Sequence, residues 1–274
     1  MAKTILITGA TDGIGLATAQ RLAGLGHSLL LHGRSEAKLA DVRALIERIG
    51  GGAAPETYRA DLSRMSEVDA LADAILERPG RLDVLINNAG VLKVPDTRAE
   101  AGLDLRFMVN AIAPYRLTRR LLQALAPDGS VVNLSSAAQS SVDLEALVGE
   151  RRLSDSAAYA QSKLALTMWT FDLARELGSG GPAVIAVNPG SLLASKMVKD
   201  AYGVAGSDLG VGADILVRAA LDPEFSTATG RYFDNDKGRF AAPHANALDA
   251  GMNRRLVQAI EALLPEGRGA PAGR

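Results

Sequence analysis

Six short β-rich runs alternate along this chain with longer segments of helical character, and that alternation leaves few architectures open. The runs are TILIT (4–8), SLLLH (28–32), ETYRA (56–60), DVLIN (83–87), SVVNLS (130–135) and AVIAVN (183–188). Between them, residues 14–26, 36–49, 64–78, 104–125 and 156–177 are long enough to serve as crossover helices. Strands joined through helices pair in parallel, with helices on both faces of one sheet. GRYFDN (230–235) reads as a seventh strand and 246–264 as a last helix. With 274 residues, 47% of them hydrophobic, the chain fits one large domain over 1–264, followed by a Gly/Pro/Arg-rich tail at 265–274 that reads as disordered.

The first turn carries the first functional signal. TGATDGIG places Gly9, Gly13 and Gly15 between the first strand and first helix, where small residues allow a tight turn and close backbone approach to a phosphate. In an alternating α/β chain this position is that of a Rossmann-type dinucleotide site in a doubly wound parallel sheet of about seven strands. A P-loop is disfavoured, because Ile14 stands where its second glycine would be. After the second strand comes Arg34, and neither His32 nor Gly33 is acidic. A guanidinium there suits a ribose 2'-phosphate, so the expected cofactor is NADP(H) in preference to NAD(H).

Composition removes other classes. Lys and Arg number 30 against 31 Asp and Glu, leaving no basic excess for nucleic acid or anionic lipid. Cysteine is absent, and His27, His32 and His244 are too scattered to suggest a ligand set, so no metal is expected. Neither a secretory leader pattern nor an apolar run of 18 residues is seen, and a soluble cytoplasmic setting is the expectation, without membrane partners.

YAQSK (159–163) sets a phenol and an ammonium one helical turn apart on a shared face. Spacing alone leaves an acid/base pair and a solvated Tyr and Lys both open, and favours the second. The wider set decides: TGATDGIG, NNAG (87–90), VVNLSS (131–136), YAQSK and NPG (188–190) stand in the order seen in short-chain dehydrogenases/reductases, and residues 3–235 resemble that family. The resemblance implies cofactor contacts from Gly9, Thr11, Asp12, Gly13, Ile14, Gly15, Arg34, Asp61, Leu62, Asn88, Ala89, Gly90, Pro189, Gly190, Ser191 and Leu192, with Tyr159 and Lys163 reaching the cofactor too. It also implies a catalytic set of Asn110, Ser136, Tyr159 and Lys163. Hydride addition to a carbonyl leaves an alkoxide that needs a proton. A phenol ordinarily ionises near pH 10, about three units too high to exchange readily at neutrality, and a neighbouring ammonium favours its ionised form. Ser136 would orient the same oxygen, although Ser135 is adjacent.

Two departures stand out. Tyr159 follows Ser136 by 23 positions, a longer interval than in the commonest members, and the polar stretch 139–156 reads as a surface loop or short helix at the cleft rim. This elongation resembles the retinol dehydrogenase and protochlorophyllide reductase branch. The family's PGxxxT reads PGSLLA, with Ala194 at the Thr position, so that Ser191 or Ser195 is left to make its contact. Residues 191–228 occupy the place of a substrate lid, with Met197, Val198, Tyr202 and Val204 as candidate pocket residues. Asp234 and Asp236 read as a solvated loop pair rather than metal ligands.

Helix 156–177 has two apolar stripes, Leu164/Met168/Phe171 and Leu166/Trp169/Leu173/Leu177, which call for two partners: its own sheet and either a second subunit or another element of the same chain, with a homo-oligomer, dimer or tetramer, as the expectation. The leading expectation is a small, apolar carbonyl or alcohol substrate. Reduction of C=C or C=N bonds, or an NADP-binding sensor or scaffold without turnover, are the alternatives.

Overall fold

A computed structural model of the chain describes residues 1–191, 193, 203, 206 and 208–264. The strands are β1 (Thr4–Ile7), β2 (Ser28–Gly33), β3 (Glu56–Arg59), β4 (Leu82–Asn87), β5 (Leu125–Leu134), β6 (Ala183–Asn188), β7 (Tyr232–Asp234) and β8 (Arg239–Ala241). They form one sheet in the order β3-β2-β1-β4-β5-β6-β7-β8, parallel except for the β7–β8 pair. The eighth strand exceeds the seven expected. Backbone bonds Lys237 N–H to Asp234 O and Gly238 N–H to Asn235 O, with Gly238 at φ +63°, close a tight hairpin that adds an antiparallel edge.

The longer helices are α1 (Gly13–Gly24), α2 (Glu36–Ile49), α3 (Met65–Glu77), α4 (Ala113–Leu121), α5 (Asp155–Leu177), α6 (Leu209–Leu221) and α7 (Ala250–Leu263). Alternate strand residues feed two cores. Leu6, Leu30, Leu85, Val131 and Val184 face one with α3, α4, α5 and α7. Ile5, Ile7, Leu29, Leu31, Val84, Ile86, Val132 and Ile185 face the other, with α1, α2 and α6. Burial on both faces is why these strands read as continuous apolar runs instead of alternating patterns. The strand order reverses between β1 and β4, so the turns after them, Gly9 onward and Asn88 onward, flank the crevice at the carboxyl edge of the sheet.

Three expectations change. Residues 104–125 do not form one regular helix: Leu105–Phe107 runs into a π-helical stretch, Met108–Ile112, before α4. The second stripe of α5 does not wait for another subunit. Leu166 and Trp169 are buried within the chain, α7 and the turn Ala245–Leu248 pack on α5, and Trp169 sits edge-on to Tyr115 at 5.7 Å. The homo-oligomer expectation therefore loses the observation that motivated it. Finally, within the stretch expected as a lid, 209–221 forms the crossover helix α6, packed against α1 and the sheet through Ile215, Leu216 and Ala219. Leu192, Ala194, Ser195, Met197, Val198, Tyr202, Val204 and the tail 265–274 lie outside the described residues. Among the described residues, no helix is long and apolar enough to cross a membrane.

Candidate active site

The glycine turn is shaped by what lies against it. Gly9 and Gly13 have φ of +67° and +53°, and a Cβ at Gly15 would fall 2.3 Å from Gly9 O and 2.4 Å from Asn88 Nδ2. No other residue fits at Gly15. Asn88 Nδ2 donates to Thr8 O and Gly9 O (2.9 and 3.0 Å), and Thr8 Oγ1 accepts from the amides of Asn88 and Ala89, so the NNAG turn is stitched to the glycine turn. At the start of α1, Asp12 takes the Gly13 amide and the first intrahelical bond runs from Leu16 N–H to Asp12 O. The amides of Ile14 and Gly15 precede that bond, as the donors of an anion site at a helix N-terminus do. Thr11 packs its methyl on Gly33, where a Cβ would come within 2.5 Å. This cradle fits a dinucleotide pyrophosphate.

One brace was missed in the sequence. His32 is 1% exposed; its Nδ1 accepts the Gly9 amide (3.2 Å) and its Nε2 faces Ala60 O (3.0 Å). A carbonyl only accepts, so Nε2 carries the proton and the ring is neutral. Burial pulls its pKa from 6.5 down to about 4. Between those values the unfolded chain holds a proton that the folded chain does not, so stability falls as pH drops through that window, by roughly 3 kcal/mol in full. The variant His32→Asn is expected to flatten this part of the Tm-versus-pH curve. An unchanged slope would show that His32 titrates normally.

At the adenosine end, Arg34 is exposed just beyond β2, and Lys38, in the first turn of α2, reaches Asp12 at 3.4 Å. Asp61 opens the turn after β3, accepting the Ser63 amide at 2.9 Å, with Leu62 buried beside it. Burial pushes the Asp61 carboxyl up, but Ser63, Arg34 and Arg64 together outweigh it and hold the pKa below the ordinary value.

The candidate proton-transfer group is built on α5. Ser154 caps the helix by accepting the Ala157 amide, and buried Arg106 grips Asp104 through two bonds and also donates to Asp155 in the first turn. Tyr159 is half-buried, and Lys163, one turn on, has its Nζ 5.8 Å from the Tyr159 ring centroid. Lys163 is 4% exposed and donates to Leu134 O at 2.7 Å; burial lowers its pKa from 10.5 to about 8. The Gly90 backbone lies over both Lys163 and Asn110, since a Cβ there would be 3.4 Å from Lys163 Nζ and 3.3 Å from Asn110 Oδ1. Asn110, in the π-helical stretch, pairs with both backbone groups of Val91 and donates to Ser162 Oγ.

The two adjacent serines separate cleanly. Ser135 is buried, sharing a 2.7 Å bond with Thr167 on α5, whereas Ser136 is half-exposed and accepts the Ala138 amide, keeping its own proton available. The 139–156 stretch is anchored: Gln161, inside YAQSK, accepts the Asp143 amide, and Ala146 and Leu147 of a one-turn helix join the core with α7.

The NPG turn corrects one reading. Of the two carboxylates read as a solvated pair, Asp234 is buried and only Asp236 is exposed; both accept from Asn188 Nδ2 (3.0 and 2.9 Å), and Asp236 also takes the Ser191 amide and hydroxyl (2.8 and 2.6 Å). Asn235 donates to Pro189 O, and Gly190 has φ +124°. The Ser191 proton is thus directed at Asp236. Among the described residues no cluster of three or more His, Asp or Glu could hold a metal.

Comparison with known proteins agrees with this arrangement. Residues 3–203 match the short chain dehydrogenase family model. Human retinol dehydrogenase 13 is 33% identical, with 93% of this chain and 82% of that protein aligned. Human polyprenol dehydrogenase is 31% identical over 94% of this chain and 82% of its own length. Among solved structures, an angucycline C-6 ketoreductase with bound NADP superposes with a TM-score of 0.68 at 29% identity, covering 85% of this chain and 93% of that one. The glycine cradle at the switch point, the Tyr159/Lys163 turn and these matches together place the chain in the short-chain dehydrogenases/reductases, on their retinol dehydrogenase-like branch, as an oxidoreductase.

Proposed function

We propose that this protein is an NADP(H)-dependent oxidoreductase acting between a carbonyl and the corresponding alcohol of a small apolar molecule, with Tyr159 as the general acid and base. The observation that carries this reading is the burial of Lys163 one turn from Tyr159 and under Gly90, an arrangement a solvated surface pair would not adopt. The nicotinamide, when bound, supplies or accepts the hydride. The chain's part is the proton: Tyr159 gives it to the oxygen, Ser136 donates a hydrogen bond to that oxygen, and the Lys163 ammonium stabilises the phenolate that results. Asn110 keeps the turn over Lys163 in register. The alcohols named in its relatives, retinol and polyprenol, support an apolar substrate.

NADPH oxidation measured against a panel of aldehydes, ketones, quinones and enones tests the reaction class, with turnover of aldehydes or ketones expected. Turnover of enones alone would replace carbonyl reduction by C=C reduction. The cofactor preference rests on Arg34, with Lys38 as a second cation. Charge-assisted bonds to a 2'-phosphate are worth about 1.5–3 kcal/mol, so Arg34→Ala is expected to raise KM for NADPH by roughly 10- to 100-fold and to leave KM for NADH nearly unchanged. Equal effects on both would remove Arg34 from the site.

A further inference from the structure

The carbonyl of Ser136 accepts two side-chain donors from distant parts of the chain. Tyr232 Oη reaches it at 3.1 Å from β7, and Gln139 Nε2 at 2.9 Å from the start of the 139–156 stretch. Neither donor is loose. The Tyr232 side chain is 4% exposed and packs with Phe171 of α5 and Ala186 of β6. Gln139 is held at its other end by the His244 amide, which donates to Oε1 at 3.0 Å, and its Nε2 also lies 3.3 Å from Ser135 Oγ. The peptide that carries the Ser136 hydroxyl is therefore clamped from β7 and from the segment ahead of α7. With the Ala138 amide occupying a lone pair of Ser136 Oγ, the remaining freedom of that hydroxyl is small.

We propose that Tyr232 and Gln139 are positioning residues that hold the Ser136 peptide so that its hydroxyl is aimed at the substrate oxygen, and that they act on the reaction only through Ser136. This rests on the reading that Ser136 orients the substrate. Tyr232 is not a second acid. Its proton is committed to the Ser136 carbonyl, and burial, followed by Asp234 and Asp236, pushes its phenol well above the ordinary range. The final part of the chain, β7 and the turn at His244, thereby takes part in the proton step although neither contributes a group that touches the substrate.

A double-mutant cycle separates action through Ser136 from a general effect on the fold. With p-nitrobenzaldehyde and NADPH, Tyr232→Phe and Gln139→Leu are each expected to lower kcat by about 3- to 10-fold, the effect of losing one hydrogen bond to the Ser136 carbonyl. The NADPH dissociation constant, followed by fluorescence, should stay within about twofold, because the clamp touches no part of the glycine turn. In a Ser136→Ala background the same substitutions should change kcat by less than about twofold. The same fold loss in both backgrounds would overturn the proposal, as would wild-type kcat in both single variants. If Ser136→Ala itself keeps full activity, the role of Ser136 falls and the clamp with it. If Ser136→Ala is slow and the clamp variants are not, only the clamp falls.

Discussion

Tyr159→Phe is expected to lower kcat for NADPH-dependent carbonyl reduction by about 10²- to 10⁴-fold, the range that a single well-placed general acid supplies. The substitution removes only the hydroxyl. The ring is half-buried on a helix whose start is secured by Ser154 and by the Arg106–Asp155 ion pair, so Phe keeps the packing and the helix register. The glycine cradle lies on a different element, and the NADPH dissociation constant should move little. Single-turnover kinetics with excess enzyme would localise the loss to the chemical step. A variant with full activity would show that the proton comes from elsewhere.

Lys163→Met should separate activity from stability. The folded pKa of Lys163, about 8, lies below its unfolded value of 10.5, so the unfolded chain binds more protons between those values and stability rises with pH across them. At neutral pH the charged lysine therefore destabilises the folded chain by roughly 3 kcal/mol relative to its neutral form. Met has a similar length without the charge. Losing the bond to Leu134 O costs about 1 kcal/mol, which leaves the variant about 2 kcal/mol more stable and its Tm several degrees higher. Its kcat should fall by about 10²-fold or more, since Tyr159 loses the cation that favours phenolate. Thermal melts at pH 7 and pH 10 check the sign: the advantage of the variant should shrink at the higher pH. A variant less stable than the wild type at both would contradict the burial argument.

How much of this site was legible in the chain depends on the range of each interaction. Gly9, Gly13 and Gly15 are demanded by one turn, and Tyr159 and Lys163 by one turn of helix; such requirements show as spacing. The distinction between Ser135 and Ser136 follows from the strand's two-residue period, which puts Asn133 and Ser135 on the face towards α5 and turns Ser136 away. His32 escaped notice because a histidine in an apolar run looks the same whether it fills space or accepts an amide 23 residues away. Asp236 looked like loop solvation, yet it meets Ser191 across 45 residues because β6 and β7 are neighbours.

The homo-oligomer expectation lost its support for a related reason. Two apolar stripes on α5 show that two partners exist, but periodicity carries no information on whether the second partner is another subunit or α7 of the same chain.

The sequence by itself determined the alternating order of strands and helices, the phosphate-sized turn after β1 and the pairing of a phenol with an ammonium, because each is set by backbone geometry within a few residues. Only the tertiary structure decided that Lys163 is buried and its pKa depressed, that His32 is a neutral brace, that Asp236 holds the NPG turn, and that Tyr232 and Gln139 close on Ser136. Desolvation and long-range hydrogen bonds depend on which surfaces the sheet order brings together, and that order is a property of the whole packed chain.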